Sequence, residues 1–267
     1  MKPFYTAFAL LFLSLAAIAQ KTPDIQSSAL SAPDKIRIDG KANEWGDSFA
    51  ADNKRTSLLY SLANDDKNLY LVIKAISLTT INKIMAGGIT FNVNVSGKKR
   101  EDGSLGITYP LIKRATRNQA GRGQGRGNFG AAAQNSTQRD SAALAQHKTE
   151  LTGAKEIKII GFKNITDSLI SIYNEYGIKA VASLDNKGAM VYELAIPLNL
   201  LELATEKPKE FVYQIKVNGL VMRGFGGGGG GRPAGFGGAR GGGNNNSNAQ
   251  DLLSPTDFWG KYTLIKK

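Results

Sequence analysis

Asp65 and Asp66 sit between Asn64 and Asn68 in the stretch Asn64-Asp65-Asp66-Lys67-Asn68. Clustered Asp and Asn side chains can offer oxygen ligands to calcium. A hairpin turn accounts for the same residues, because Asn and Asp hydrogen-bond their own backbone in turns, and it is the preferred reading. Glu193 is the other acid that stands out, embedded in the strand-like run VYELAIP. A carboxylate there can contact a ligand, or it can anchor a loop or a lysine by hydrogen bonding. No second carboxylate stands at a spacing that identifies a glycosidase pair. With one histidine, His147, and no cysteine, the chain has no multi-histidine site, thiol nucleophile, thiolate metal site or disulfide. A Ser-His-Asp triad is disfavoured, and with it the enzyme class. No cofactor is expected, and calcium at Asp65 and Asp66 is the one metal reading kept open.

The cations are concentrated. The formal net charge is +12, yet residues 113–149 carry seven basic side chains against Asp140 alone, and residues 221–248 carry Arg223, Arg232 and Arg240 with no acid. The rest of the chain is close to neutral. Both segments are rich in glycine, and such composition buries too little apolar surface to offset its ordering entropy. A solvated loop is the preferred reading of each segment, with Arg117, Arg122, Arg126, Arg232 and Arg240 as the candidates for contact with a polyanion in the alternative. An anionic glycan or an envelope protein is the expected partner class. Nucleic acid is not, because the N-terminus predicts export.

That N-terminus reads MKPFYTAFALLFLSLAAIAQ. Lys2 precedes a short apolar run, and Ala17-Ile18-Ala19 gives the small-x-small pattern of a signal-peptidase site. Residues 1–19 are therefore read as a signal peptide, leaving no transmembrane span after cleavage. The expected location is periplasmic, outer-membrane-associated or secreted, and a cysteine-free exported chain suggests a bacterial source. Residues 20–34 read as a flexible lead. Residues 35–267 read as one domain interrupted at about 115–146 and 224–248.

The elements that would position these residues are mostly strands. Residues 57–63 and 69–76 are apolar runs joined by the Asn/Asp turn, which predicts a hairpin. In ITFNVNV, Ile89, Phe91, Val93 and Val95 alternate with Thr90, Asn92 and Asn94. KEIKIIGF, YGIKAVASLD, GAMVYELAIP, EFVYQIKVNGLVM and FWGKYTLIK continue the β pattern. LTTINKIMAGG predicts a helical turn or two closed by Gly87-Gly88, and Pro197 opens a short helix. Many short strands without βαβ alternation predict an all-β antiparallel sandwich, jelly-roll-like, with one or two short helices and two long glycine-rich insertions.

Three motifs in this order, IRIDGKANEW, ANDDKNLYLVIKA and GAMVYELAIPLNLL, with a closing DFWGKYTLIK, resemble family 9 carbohydrate-binding modules and their DOMON-type relatives. The resemblance covers residues 36–266 apart from the insertions. It implies a secreted, non-catalytic β-sandwich that recognises a glycan or an envelope polymer. An envelope structural protein that has lost sugar binding is the alternative, and an accessory domain of a polysaccharide-active enzyme is a third. Sugar-binding members stack exposed tryptophans on pyranose faces. Here Trp45 and Trp259 both fall in framework motifs, where the core is the preferred reading for each and no sugar platform is visible. Asn92 and Asn94 stand where acidic residues are usual, which counts against calcium. Tyr60, Asp65, Asp66, Glu193 and Trp259 are the candidate ligand contacts. Two tripeptides, Asp140-Ser141-Ala142 and Asp167-Ser168-Leu169, resemble the Asp-Ser/Thr-apolar acceptor used for O-glycosylation by some Gram-negative bacteria.

Overall fold

The computed structural model describes residues 22–46, 48–112, 136–220 and 252–266. The expected signal peptide and the five candidate arginines lie outside them. The described residues form two antiparallel sheets facing one core, so the chain is an all-β sandwich. Its strands are β1 (Ala51–Asn53), β2 (Leu58–Asn64), β3 (Asn68–Ala75), β4 (Ile89–Asn94), β5 (Leu105–Tyr109) and β6 (Glu156–Ile160). They continue with β7 (Leu169–Ser171), β8 (Lys179–Leu184), β9 (Met190–Pro197), β10 (Glu210–Val217) and β11 (Thr256–Thr263). The first sheet has the order β1-β2-β3-β9-β8 and the second β11-β10-β4-β5-β6-β7.

Alternation places the core. Ile89, Phe91 and Val93 of β4 point inward with Phe211, Tyr213, Ile215 and Val217 of β10 and Phe258 and Tyr262 of β11. Tyr60, Leu62, Leu71, Ile73, Tyr192 and Leu194 meet them from the first sheet. Each such side chain contributes about 1.5–3 kcal/mol when fully buried. The Tyr60 and Tyr213 hydroxyls satisfy one another inside the core at 2.8 Å.

The Asn/Asp turn joins β2 to β3 with Leu62 opposite Leu71, as the hairpin reading expected. Helix α1 (Leu78–Gly87) carries the chain from the first sheet to the second. Gly88, at φ +76°, ends it by donating its N–H to the Ile84 carbonyl. Leu198–Leu201 forms a short 3-10 turn after Pro197.

Two expectations need correction. Residues from 136 onward belong to helix α2 (Ser136–Thr152), so a helix occupies the end of the first expected loop. Ala142, Ala143, Leu144 and Ala145 are strong helix formers, and Leu151 is buried against the core with Leu144 packed beside it. The N-terminal lead is not free either. It lies along β1 and then β2: the Pro23 carbonyl accepts the Asp52 N–H, the Leu30 carbonyl accepts the Asn64 N–H, Ala32 donates its N–H to the Asn64 carbonyl, and Gln26 is 5% exposed. The Gln26 side chain both accepts from the Leu62 N–H and donates to the Leu62 carbonyl at 2.8 Å, as a strand neighbour would.

Residues beyond the lead then cross the outer face of the first sheet. Ile36, Ile38, Trp45 and Phe49 cover Ala63, Tyr70, Val72, Val191 and Ala195. That layer explains why β2, β3 and β9 are apolar on both sides.

Candidate functional site

The outer face of the second sheet carries a polar row on β4, β10 and β11. Because Phe258 and Tyr262 turn inward, Asp257, Trp259 and Lys261 turn outward from β11. Register then aligns Trp259 with Gln214 of β10, Asn92 of β4 and Gly106 of β5 in one row across the strands. Asn92 donates from Nδ2 to Gln214 Oε1 at 2.6 Å, and Gln214 donates from Nε2 to Asp257 Oδ2 at 2.7 Å and Glu101 Oε1 at 3.1 Å. Lys216 Nζ also reaches Glu101 Oε1 at 2.7 Å, and this bond holds the Glu101 carboxyl below its ordinary range against its partial burial. Gln214 and Asn92 are 2% and 7% exposed, so the network is a fixed support and not a loose surface. Gly106 leaves room for it: a Cβ there would meet Asn92 Oδ1 at 2.5 Å.

Trp259 is half-buried and forms one wall of a cavity of about 560 Å³. The N-terminal lead also lines it, with Gln26, Ser27 and Ser28, and Lys99, Glu210, Lys261 and Thr263 add further polar groups. Lys261 Nζ is paired with Glu210 Oε1 at 2.7 Å. An indole with hydroxyl, ammonium and carboxylate groups around it can stack on an apolar ring face and hydrogen-bond the ring's substituents.

Of the residues singled out from sequence, Trp259 alone stands at this cavity. Tyr60 is fully buried, and its hydroxyl accepts the Gln26 N–H and pairs with Tyr213. It has no surface to offer a ligand, which corrects the expectation, and burial pushes its pKa up.

Asp65 is used up within its own turn. Its Oδ1 accepts the N–H groups of Lys67 and Asn68, and its Oδ2 accepts the Tyr70 hydroxyl at 2.8 Å. Burial, then that bond, pushes Tyr70 up to about 12. Asp66 is exposed beside it. Among the described residues no three His, Asp or Glu side chains converge as a metal set. Asn94 accepts the N–H and hydroxyl of Ser96 and donates to Ser104.

Glu193 is also turned away from any external ligand. It is fully buried on the outer face of β9, beneath the segment that crosses the first sheet. Its Oε2 accepts the N–H groups of Asp39 at 2.9 Å and Gly40 at 2.6 Å, while buried Oε1 has no hydrogen-bond partner. The strand-embedded glutamate thus anchors a loop, the Ile-Asp-Gly turn, and is not a ligand contact. Burial raises its pKa, the two N–H groups oppose that, and nearby Asp39 and Glu44 add to it. Trp45 lies in the same layer, edge-on to Tyr70 with ring centroids 6.5 Å apart. His147 ties α2 to α1, with Nε2 2.7 Å from Asn82 Oδ1 and Nδ1 3.3 Å from Glu150 Oε2.

Sequence reasoning missed Gln214 and the Ser27-Ser28 wall. The period-2 pattern of EFVYQIKV does carry Gln214 onto the polar face, but nothing local ties residues 25–29 to β11. No family model matches the chain, and no curated protein matches it. No helix among the described residues is long and apolar enough to cross a membrane.

Proposed function

We propose that the chain is an exported, non-catalytic carbohydrate-binding module that recognises a glycan or cell-envelope polymer at the Trp259 cavity. The observation that supports this most directly is the orientation of Trp259. Its side chain leaves the core and lines a cavity with polar groups around it, in register with Gln214 of the neighbouring strand. Pyranose rings have apolar faces and hydroxyl rims, which suits one aromatic wall with hydrogen-bonding groups around it. The resemblance to family 9 carbohydrate-binding modules and the leader-like N-terminus point the same way.

The alternative is an envelope interaction protein without sugar affinity. One observation favours it: Trp45 is packed into the layer over the first sheet, so the described residues present a single tryptophan where sugar-binding relatives use a pair. A glycan array on residues 20–267 at physiological salt, with and without calcium, separates the two. The carbohydrate reading expects a saturable signal for a defined glycan, lost in Trp259→Ala while the thermal midpoint holds. Silence, or a signal for every acidic glycan that salt abolishes, rejects it in favour of the interaction protein.

A further inference from the structure

We propose that Ser168 is an O-glycosylation acceptor. The two acceptor-like tripeptides meet different fates in the fold. Ser141 lies inside α2, where the backbone is committed to the helix ladder. Asp167, Ser168 and Leu169 are all exposed, at the point where the chain enters β7.

Three features of this place suit an enzyme's substrate. First, among the described residues the Ser168 hydroxyl makes no hydrogen bond and the Asp167 carboxylate no ion pair, so both are free to be read. The backbone is nevertheless fixed, because the Ser168 carbonyl accepts the Ile159 N–H at 2.9 Å. Second, Leu169 is 52% exposed, directly opposite Lys158, while its neighbour Ile170 is buried in the core. Packing gives no reason for a leucine there, whereas an enzyme that reads an apolar residue after the serine does. Third, β7 is the outermost strand of its sheet, so the tripeptide, which bends at Ser168 and enters the strand at Leu169, is presented at an edge and not between strands.

The chemistry is a glycosyl transfer. A bond forms between Ser168 Oγ and the anomeric carbon of a sugar carried as a glycosyl phosphate donor. The bond from that carbon to the phosphate oxygen breaks, and its electron pair leaves with the phosphate. The hydroxyl proton passes through a base of the host transferase to solvent. No oxidant or reductant takes part. The assignment rests on the export reading, since a transferase for exported chains must meet its substrate.

The test uses the full chain made in its own host and recovered from it. Trypsin cuts after Lys163 and Lys179, so residues 164–179 travel as one peptide, and residues 140–148 carry Ser141 separately. The expected result is residues 164–179 bearing a sugar mass, located at Ser168 by fragmentation that leaves the glycan attached. Ser168→Ala and Asp167→Asn should both lose it, while residues 140–148 stay unmodified. Only the unmodified mass in a chain whose leader has been removed overturns the acceptor and leaves export standing. The unmodified mass in a chain that keeps its leader overturns both. A phosphate mass on residues 164–179, or a sugar at Ser171 or Ser141 in place of Ser168, also overturns it.

Discussion

Glu193 illustrates how a buried charge sets a pH dependence at the scale of one residue. Its folded-state pKa lies above the ordinary 4.5, chiefly because burial penalises the carboxylate. A carboxyl with a raised folded pKa gives its full stabilisation below the unfolded value and loses it as pH rises through the folded one. Glu193→Gln removes the titration but keeps an amide oxygen for the Asp39 and Gly40 N–H groups. Thermal melts from about pH 4 to about pH 8 should therefore show the variant gaining on the wild type as pH rises. The gain should reach about 1.4 kcal/mol for every tenfold by which folding weakens the acid. A constant gap across that range would show that burial of the charge has no cost. Glu193→Ala removes the acceptor altogether, and should cost about 2–4 kcal/mol by leaving two N–H groups under the crossing segment unpaired. Gly260 makes a different demand, because any Cβ there would land on the Tyr213 ring. Gly260→Ala should destabilise by about 1–3 kcal/mol in urea titrations, through forced repacking of the aromatic cluster.

The N-terminal lead is the element whose role goes furthest beyond its pattern. Gln26 supplies β2 with a donor and an acceptor, and its own N–H goes to Tyr60 Oη at 2.9 Å. Gln26→Ala should cost about 2–3 kcal/mol, since the Leu62 N–H and carbonyl would be left buried and unpaired. An unchanged urea midpoint would make the lead a passenger. β2 to β4 were legible because side chains alternate with period two, and so was the Asn/Asp turn, whose chemistry is local. The crossing segment was not: KIRIDG alternates as a strand would, yet residues 36–49 form no named strand and lie across the sheet instead. Its one trace was indirect: LLYSLAN, NLYLVIKA and MVYELAIP are near-continuous apolar runs, as strands covered on both faces are. Tyr60 was misjudged as a ligand contact for that reason, because in a doubly covered strand neither face is wet. For Trp259 the core reading, taken from its place in a framework motif, fell short, because DFWGKYT puts it on the face opposite Phe258. Helix α2 escaped because its apolar side consists of little more than Leu144 and Leu151, in a stretch adjoining glycine-rich sequence.

At the scale of the molecule, the two insertions leave the sandwich as neighbours. The first begins after β5, where the Pro110 carbonyl is 2.7 Å from where a Gly88 Cβ would stand. The second begins after β10, where Asn218 bonds the Gly87 and Gly88 carbonyls and Leu220 donates its N–H to the Leu252 carbonyl at 2.7 Å. The stem of the second insertion is thus already closed by backbone pairing that needs nothing from residues 222–250. The Trp259 cavity lies towards the other end of β11, beside Lys261 and Thr263 and the start of β10 at Glu210. Replacing residues 222–250 with two glycines should therefore preserve the fold. Loop-closure entropy predicts a gain of up to about 2 kcal/mol, from a roughly eightfold shorter connection at about 0.6 kcal/mol per halving. Glycan binding at Trp259 should survive the replacement, and salt-sensitive binding to acidic polymers should weaken as Arg223, Arg232 and Arg240 are lost. The proposed glycan binding and any polyanion binding are expected to be separable, because the cations and the cavity occupy different parts of the chain. Urea titration and a paired comparison of neutral and acidic glycans on the shortened protein decide the matter. Loss of the neutral-glycan signal in a protein of unchanged stability would tie residues 222–250 to the cavity and refute this separation.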